Sequence, residues 1–138
     1  MEAGWLEGRE LGEMHLLHAA EGCTQQGYHW DWDVVKVRAE RGKGGTLPVG
    51  VILAMEAGAR LMVWHKGKEY AINLEPGDVL VFEGDVLHAG AEYKDASNTR
   101  VHLYHDVEAF SRDPNESWGP PKNYDSSQRV IISIQFNK

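Results

Sequence analysis

Residues 77–90 read Gly77-Asp78-Val79-Leu80-Val81-Phe82-Glu83-Gly84-Asp85-Val86-Leu87-His88-Ala89-Gly90. Two short apolar runs flank an acidic turn, the form of two paired strands ending in a histidine. Upstream, Leu61 to Trp64 and Glu69 to Leu74 bracket His65-Lys66-Gly67-Lys68, a hairpin whose glycine supplies the positive φ of the turn. Pro76-Gly77-Asp78 marks the next turn. The same rhythm runs along the chain, where 15 Gly and 5 Pro separate runs rich in Val, Ile, Leu, Tyr and Trp. Strands are predicted near 13–18, 25–30, 47–55, 60–65, 69–74, 78–82, 86–90, 99–106 and 129–136. No stretch carries apolar residues at i, i+3, i+4 and i+7 for three turns. Helices are therefore few, with one short helix predicted around Val107 to Arg112. Residues 38–46 and 113–128 read as loops, and the fold class is all-β.

The 138 residues fit one domain with one core, over 1–138, either a natural short protein or the excised core of a longer one. No apolar run approaches the roughly 18 residues that span a bilayer, which argues against a membrane protein. The start, Met1-Glu2-Ala3-Gly4-Trp5-Leu6-Glu7, lacks the basic and apolar stretches of a secretory signal, and a lone Cys23 cannot form an internal disulfide. Both point to an intracellular, cytoplasmic setting. The net charge of −7, with no basic cluster beyond Arg38, Arg41 and Lys43, disfavours nucleic acid as a partner.

The chemistry concentrates in Gln25-Gln26-Gly27-Tyr28-His29-Trp30-Asp31-Trp32-Asp33. His29 and Asp31 stand two apart, on one face of an extended segment, so an imidazole and a carboxylate converge. His88 can supply a third ligand. Two histidines and one carboxylate on one side of an iron leave three positions open, which suits Fe(II) chemistry with O2 and a co-substrate. Farther on, Asn98-Thr99-Arg100-Val101-His102-Leu103-Tyr104 puts Arg100, His102 and Tyr104 on one face. A guanidinium there can clamp a carboxylate. Gln25 alternates onto the face of His29, while Trp30 and Trp32 point away to pack against a second layer.

The pattern His29-x-Asp31, then His88, then Arg100 resembles the Fe(II)/2-oxoglutarate-dependent dioxygenase superfamily, over about 80 residues. The stretch from Gly77 to Gly90 is similar to its distal-histidine strand pair. The resemblance implies a double-stranded β-helix (jelly roll) of two facing sheets. It also implies Fe(II) on His29, Asp31 and His88, with the distal carboxylate of 2-oxoglutarate on Arg100. Gln25, His102 and Tyr104 are expected to line the co-substrate pocket. The implied reaction consumes O2 and 2-oxoglutarate, releases succinate and CO2, and hydroxylates or demethylates a small molecule or protein side chain. Two departures stand out: His102 occupies a position where many members carry Ser, and the helices that usually precede the core are missing. Their absence suggests a homodimer or a missing partner domain.

Two rival readings use the same barrel. In the first, His65 and Glu69 approximate a cupin motif, and the protein is a metal enzyme that does not use 2-oxoglutarate. The match is incomplete, because His65 flanks a tight turn and has no His-x-His partner. The second is a non-catalytic ligand-binding jelly roll.

Overall fold

Alternating apolar residues pair the strands into two antiparallel sheets in the computed structural model, which describes residues 7–108, 112, 117–120 and the backbone of 132–135. The strands are β1 (Arg9–Ala19), β2 (Val49–Ala54), β3 (Ala59–His65), β4 (Lys68–Leu74), β5 (Val79–Glu83), β6 (His88–Gly90), β7 (Asn98–Val107) and β8 (Ile132–Gln135). One sheet has the order β1-β7-β2-β5-β8 and the other β4-β3-β6. The segment 23–29 extends the second sheet through the bridges Cys23↔Tyr93 and His29↔His88. The chain thus passes back and forth between sheets: β1, then 23–29 across, β2 back, β3 and β4 across, β5 back, β6 across and β7 back. That winding is the double-stranded β-helix, and the all-β expectation holds.

The core lies between the sheets. Ile52, Leu61, Val63, Leu74, Leu80 and Phe82 pack there as one buried cluster, each fully buried side chain stabilising by about 1.5–3 kcal/mol. On the other face of the first sheet Val49, Val51 and Val81 are also buried. Apolar contacts on both faces explain why the β2 and β5 sequences read as nearly continuous apolar runs. Gly50 is required by packing, because a Cβ there would sit 2.4 Å from the Phe82 ring. At the tip of β3–β4 both Lys66 (φ 49°) and Gly67 (φ 73°) are left-handed, the mirror-image turn that matches strand twist.

A helix occupies a stretch not expected to be helical, α1 (Val34–Gly42). Asp33 caps it, accepting from the backbone N–H of Val35 at 3.0 Å. At its other end Gly44 N–H bonds Arg41 O and Gly45 N–H bonds Glu40 O, at 3.0 and 2.9 Å. With Gly44 at φ 72°, this is a Schellman stop. The loop expected over 38–46 is therefore half helix. The β-branched run Val34-Val35-Lys36-Val37 hid it, since only Val37 is buried and no repeating apolar face forms.

Of the helix expected at 107–112, residues 109–111 lie outside the described residues, and Val107 itself closes β7. Of the 113–128 loop, Trp118 is described, and it pairs with Trp30 through two backbone hydrogen bonds of 2.8 and 2.9 Å. Among the described residues no helix is long and apolar enough to cross a membrane.

Candidate metal centre

The site is built on one antiparallel bridge. His29 N–H bonds His88 O at 2.9 Å and His88 N–H bonds His29 O at 3.2 Å, so the two side chains leave the sheet on the same side. Their ring centroids are 4.7 Å apart. Each ring is oriented the same way: His29 Nδ1 lies 2.9 Å from Gly27 O and His88 Nδ1 lies 3.0 Å from Val86 O. A carbonyl only accepts, so both Nδ1 atoms carry the proton and both Nε2 atoms are left for another partner.

That partner region contains Asp31, which is 6% exposed. Its Oδ1 is 3.5 Å from His29 Nε2, and its Oδ2 is 3.2 Å from His88 Nε2. The latter approach is close but not aligned as a hydrogen bond, and Oδ2 has no other partner. Ligand atoms of His29, Asp31 and His88 all lie within 4.8 Å of one another. Two imidazole nitrogens facing a buried carboxylate repel it unless a cation lies between them, either protons or a metal ion. The site's electrostatics follow. Burial pushes the Asp31 carboxyl up, but His88 and His29 together hold it well below the ordinary carboxylate range. The Asp31 carboxylate, which would accept from a protonated Nε2, raises the His29 imidazole, against the opposing effect of burial.

Flanking residues fix the segment. Trp30 and Trp32 are each 1% exposed, and their indole N–H groups donate to Asp85 O (3.1 Å) and Asp106 Oδ1 (2.8 Å). Both pack inside, as expected from their direction away from the ligand face. The turn before His88 is held from α1. Arg41 Nε and Nη2 each reach an Asp85 carboxylate oxygen at 2.9 Å, and Nη2 also pairs with Glu83. The acidic turn seen in the sequence is thus the receptor for a helix-borne guanidinium.

Beside the ligand set lies a cavity of about 150 Å³, bordered by His29, His88, Arg100, His102 and Tyr104. A larger cleft of about 580 Å³, lined by Arg9, Arg41, Thr46 and Glu83 among others, includes none of the three ligands. We assign the chemistry to the smaller one because the unpartnered polar atoms converge there. Arg100 is 7% exposed with Nη1 lacking a partner, and His102 Nε2 is likewise buried without one. Burial drives the His102 imidazole down to about 3, despite the opposing charge of Asp31, so it is neutral at physiological pH. Its ring stacks on Tyr104 at 4.2 Å between centroids. Burial, then Asp31, raises the Tyr104 phenol, keeping it protonated.

Two placements differ from the sequence reading. Gln25 does not line the cavity: its side chain donates to Glu69 at 3.2 Å, and Gln26 borders the cavity instead. The cause is a bulge, for Gln26 N–H bonds Gly90 O where regular pairing with His29↔His88 would place Gly27. One extra residue reverses the alternation and reduces the expected 25–30 strand to isolated bridges. Arg112 was absent from the candidate residues. Its guanidinium lies 3.6 Å from the Tyr104 ring centroid and 2.7 Å from Glu13, which His15 also contacts at 2.7 Å. Nothing in the local sequence around Arg112 signals that return to the barrel. As their incomplete motif implied, His65 and Glu69 lie outside the ligand set, and Glu69 instead accepts from Tyr28.

No family model matches the chain, and no curated protein matches it. Among solved structures it is similar to the crystal structure of vicilin from Corylus avellana (hazelnut), with 14% identity and a TM-score of 0.45. That similarity covers 83% of this chain and 28% of the vicilin chain, so the present chain spans less than a third of that protein's length.

Proposed function

We propose that this protein is an Fe(II)- and 2-oxoglutarate-dependent oxygenase that hydroxylates or demethylates a small molecule or a protein side chain, releasing succinate and CO2. The observation that carries the reading is Arg100. A buried guanidinium is costly without an anion, yet among the described residues no carboxylate pairs with Arg100, and its Nη1 lacks a partner beside the cavity that His29 and His88 border. A metal-binding set next to a guanidinium awaiting a carboxylate fits a ligand with a chelating end and a distal acid.

The donor set suits the metal. Two neutral imidazoles and one carboxylate on a single side are the ligands of non-haem Fe(II) oxygenases. Bound there, Fe(II) would supply the one-electron chemistry with O2 that lets an unactivated C–H bond be oxidised. His29, Asp31 and His88 would hold it, with the rings oriented by Gly27 O and Val86 O. Arg100 binds the distal carboxylate of 2-oxoglutarate and so fixes the position of its 2-oxo acid end. His102 and Tyr104 form the wall between these ends, and neutral His102 provides a hydrogen-bonding nitrogen without adding charge. At about 150 Å³ the cavity is below the ~300–1,000 Å³ of sites for drug-sized ligands, as a small dicarboxylate requires.

A second reading is a cupin-type metal enzyme that does not use 2-oxoglutarate. It draws on His102, whose unpartnered Nε2 in the same cavity is a further imidazole beside the ligand set. One titration separates the two. Fe(II)-loaded protein is mixed anaerobically with 2-oxoglutarate, and the weak visible charge-transfer band of a chelated 2-oxo acid is followed, with Arg100→Met in parallel. The oxygenase reading expects the band in the native protein and a right-shifted titration in the variant. Iron uptake with no band moves the function to the cupin type.

A further inference from the structure

Arg100 borders a second chamber. Besides the metal-side cavity, it lines a space of about 270 Å³ with Leu17, Ala19, Cys23, Thr24, Gln26 and Ala91. Leu17, Gln26, Gly90 and Arg100 are common to both spaces, so the guanidinium stands in the partition. Gly90 keeps that partition thin: a Cβ there would come within 2.7 Å of Gln26 Oε1 and 3.4 Å of Arg100 Nη2. Apart from Arg100 and the His18 imidazole, no Lys, Arg, Asp or Glu side chain among the described residues lines the outer chamber, whose walls near Leu17, Ala19, Cys23 and Ala91 are apolar.

We propose that this outer chamber is a second ligand site, taking a short aliphatic monocarboxylate with its acid on Arg100 and its chain against Leu17, Ala19, Cys23 and Ala91. The physical case has two parts. A guanidinium that is 7% exposed, with Nη1 lacking a partner, gains most from an anion brought into the low-dielectric interior. The chamber's apolar wall then favours an alkyl chain behind that anion, with roughly 0.8 kcal/mol for each methylene it covers. Because a single guanidinium serves both chambers, a monocarboxylate held from outside competes with an acid held from the metal side. The inference does not rest on the oxygenase reading, since it needs neither iron nor 2-oxoglutarate.

Cys23 in the chamber wall makes the site directly readable. The rate of its alkylation by iodoacetamide, a neutral reagent, is measured on the full chain with acetate, butanoate and hexanoate over a concentration series, and with hexanamide as the uncharged control. Occupation slows alkylation. The half-protecting concentration should fall about fourfold for each added methylene, the rate equivalent of ~0.8 kcal/mol, and hexanamide should protect at least tenfold more weakly than hexanoate. Arg100→Met should lose the protection, and Arg100→Lys should retain part of it. Protection that does not change with chain length, or equal protection by hexanamide, overturns the proposal in the native protein alone. Full protection in either Arg100 variant overturns it as well.

Discussion

His29 and His88 are partners of one backbone bridge, each donating its N–H to the other's carbonyl, and each tying its own Nδ1 to the carbonyl two residues earlier. The metal geometry is therefore a property of the sheet, with Asp31 brought in by a turn. His88→Ala and Asp31→Ala should each lower Fe(II) affinity by more than the 10–100-fold that loss of a supporting contact costs. Arg100→Met should leave it unchanged. Fe(II) titration by calorimetry checks this, and full occupancy in both ligand variants would mean that the three residues are not the ligands.

Arg41 offers a test of support from a distance. It touches no ligand, but its forked contact with Asp85 holds the turn from which His88 emerges. Arg41→Ala should weaken Fe(II) binding by about tenfold while costing about 1–3 kcal/mol in stability, because Asp85, only 5% exposed, loses its forked partner. An unchanged metal affinity would show that the β5–β6 turn keeps its shape without the helix.

Much of this site was legible because it depends on alternation. Gly77 to Gly90 announced two strands and a terminal histidine, and His102 and Tyr104 do share a face with Arg100, on the cavity. What escaped depends on departures from regular periods. A single bulged residue between the His29↔His88 bridge and the Gln26–Gly90 bond exchanges Gln25 for Gln26, and no residue type there marks it. Helix α1 buries only Val37, so it lacks a periodic stripe; Asp33 as cap and the Gly44-Gly45 stop were its readable signals. Arg112 reaches Tyr104 and Glu13 from across the chain, a contact that no local pattern encodes.

Gly50 links backbone packing to the site. A methyl group there would fall 2.4–2.9 Å from the Phe82 ring, and that ring lies 4.8 Å from His88 and 6.0 Å from His102, centroid to centroid. Phe82 is 1% exposed and packs in the buried core cluster. Gly50→Ala should cost about 1–3 kcal/mol by overpacking and should also reduce Fe(II) affinity, because the ring is displaced toward His88. Urea unfolding and metal titration of the same variant check both effects. Lost stability with intact affinity would confine the strain to the core.

His102 sets a pH dependence whose sign can be worked out. Burial holds its imidazole at about 3 in the folded protein, against an ordinary value of 6.5. Between those values the unfolded chain binds a proton that the folded chain refuses, so stability rises with pH across that window and is lost as pH falls from 6.5. One such group contributes a slope of about 1.4 kcal/mol per pH unit. His102→Gln, which keeps a polar side chain but does not titrate, should flatten the stability profile between pH 6 and pH 4 by about that slope, with little change in stability above pH 7.5. Urea midpoints measured at several pH values test it. An acid limb equally steep in the variant would assign the loss to other groups, such as protonation within the His29, Asp31 and His88 set, and would mean that His102 is more accessible to protons than its burial implies.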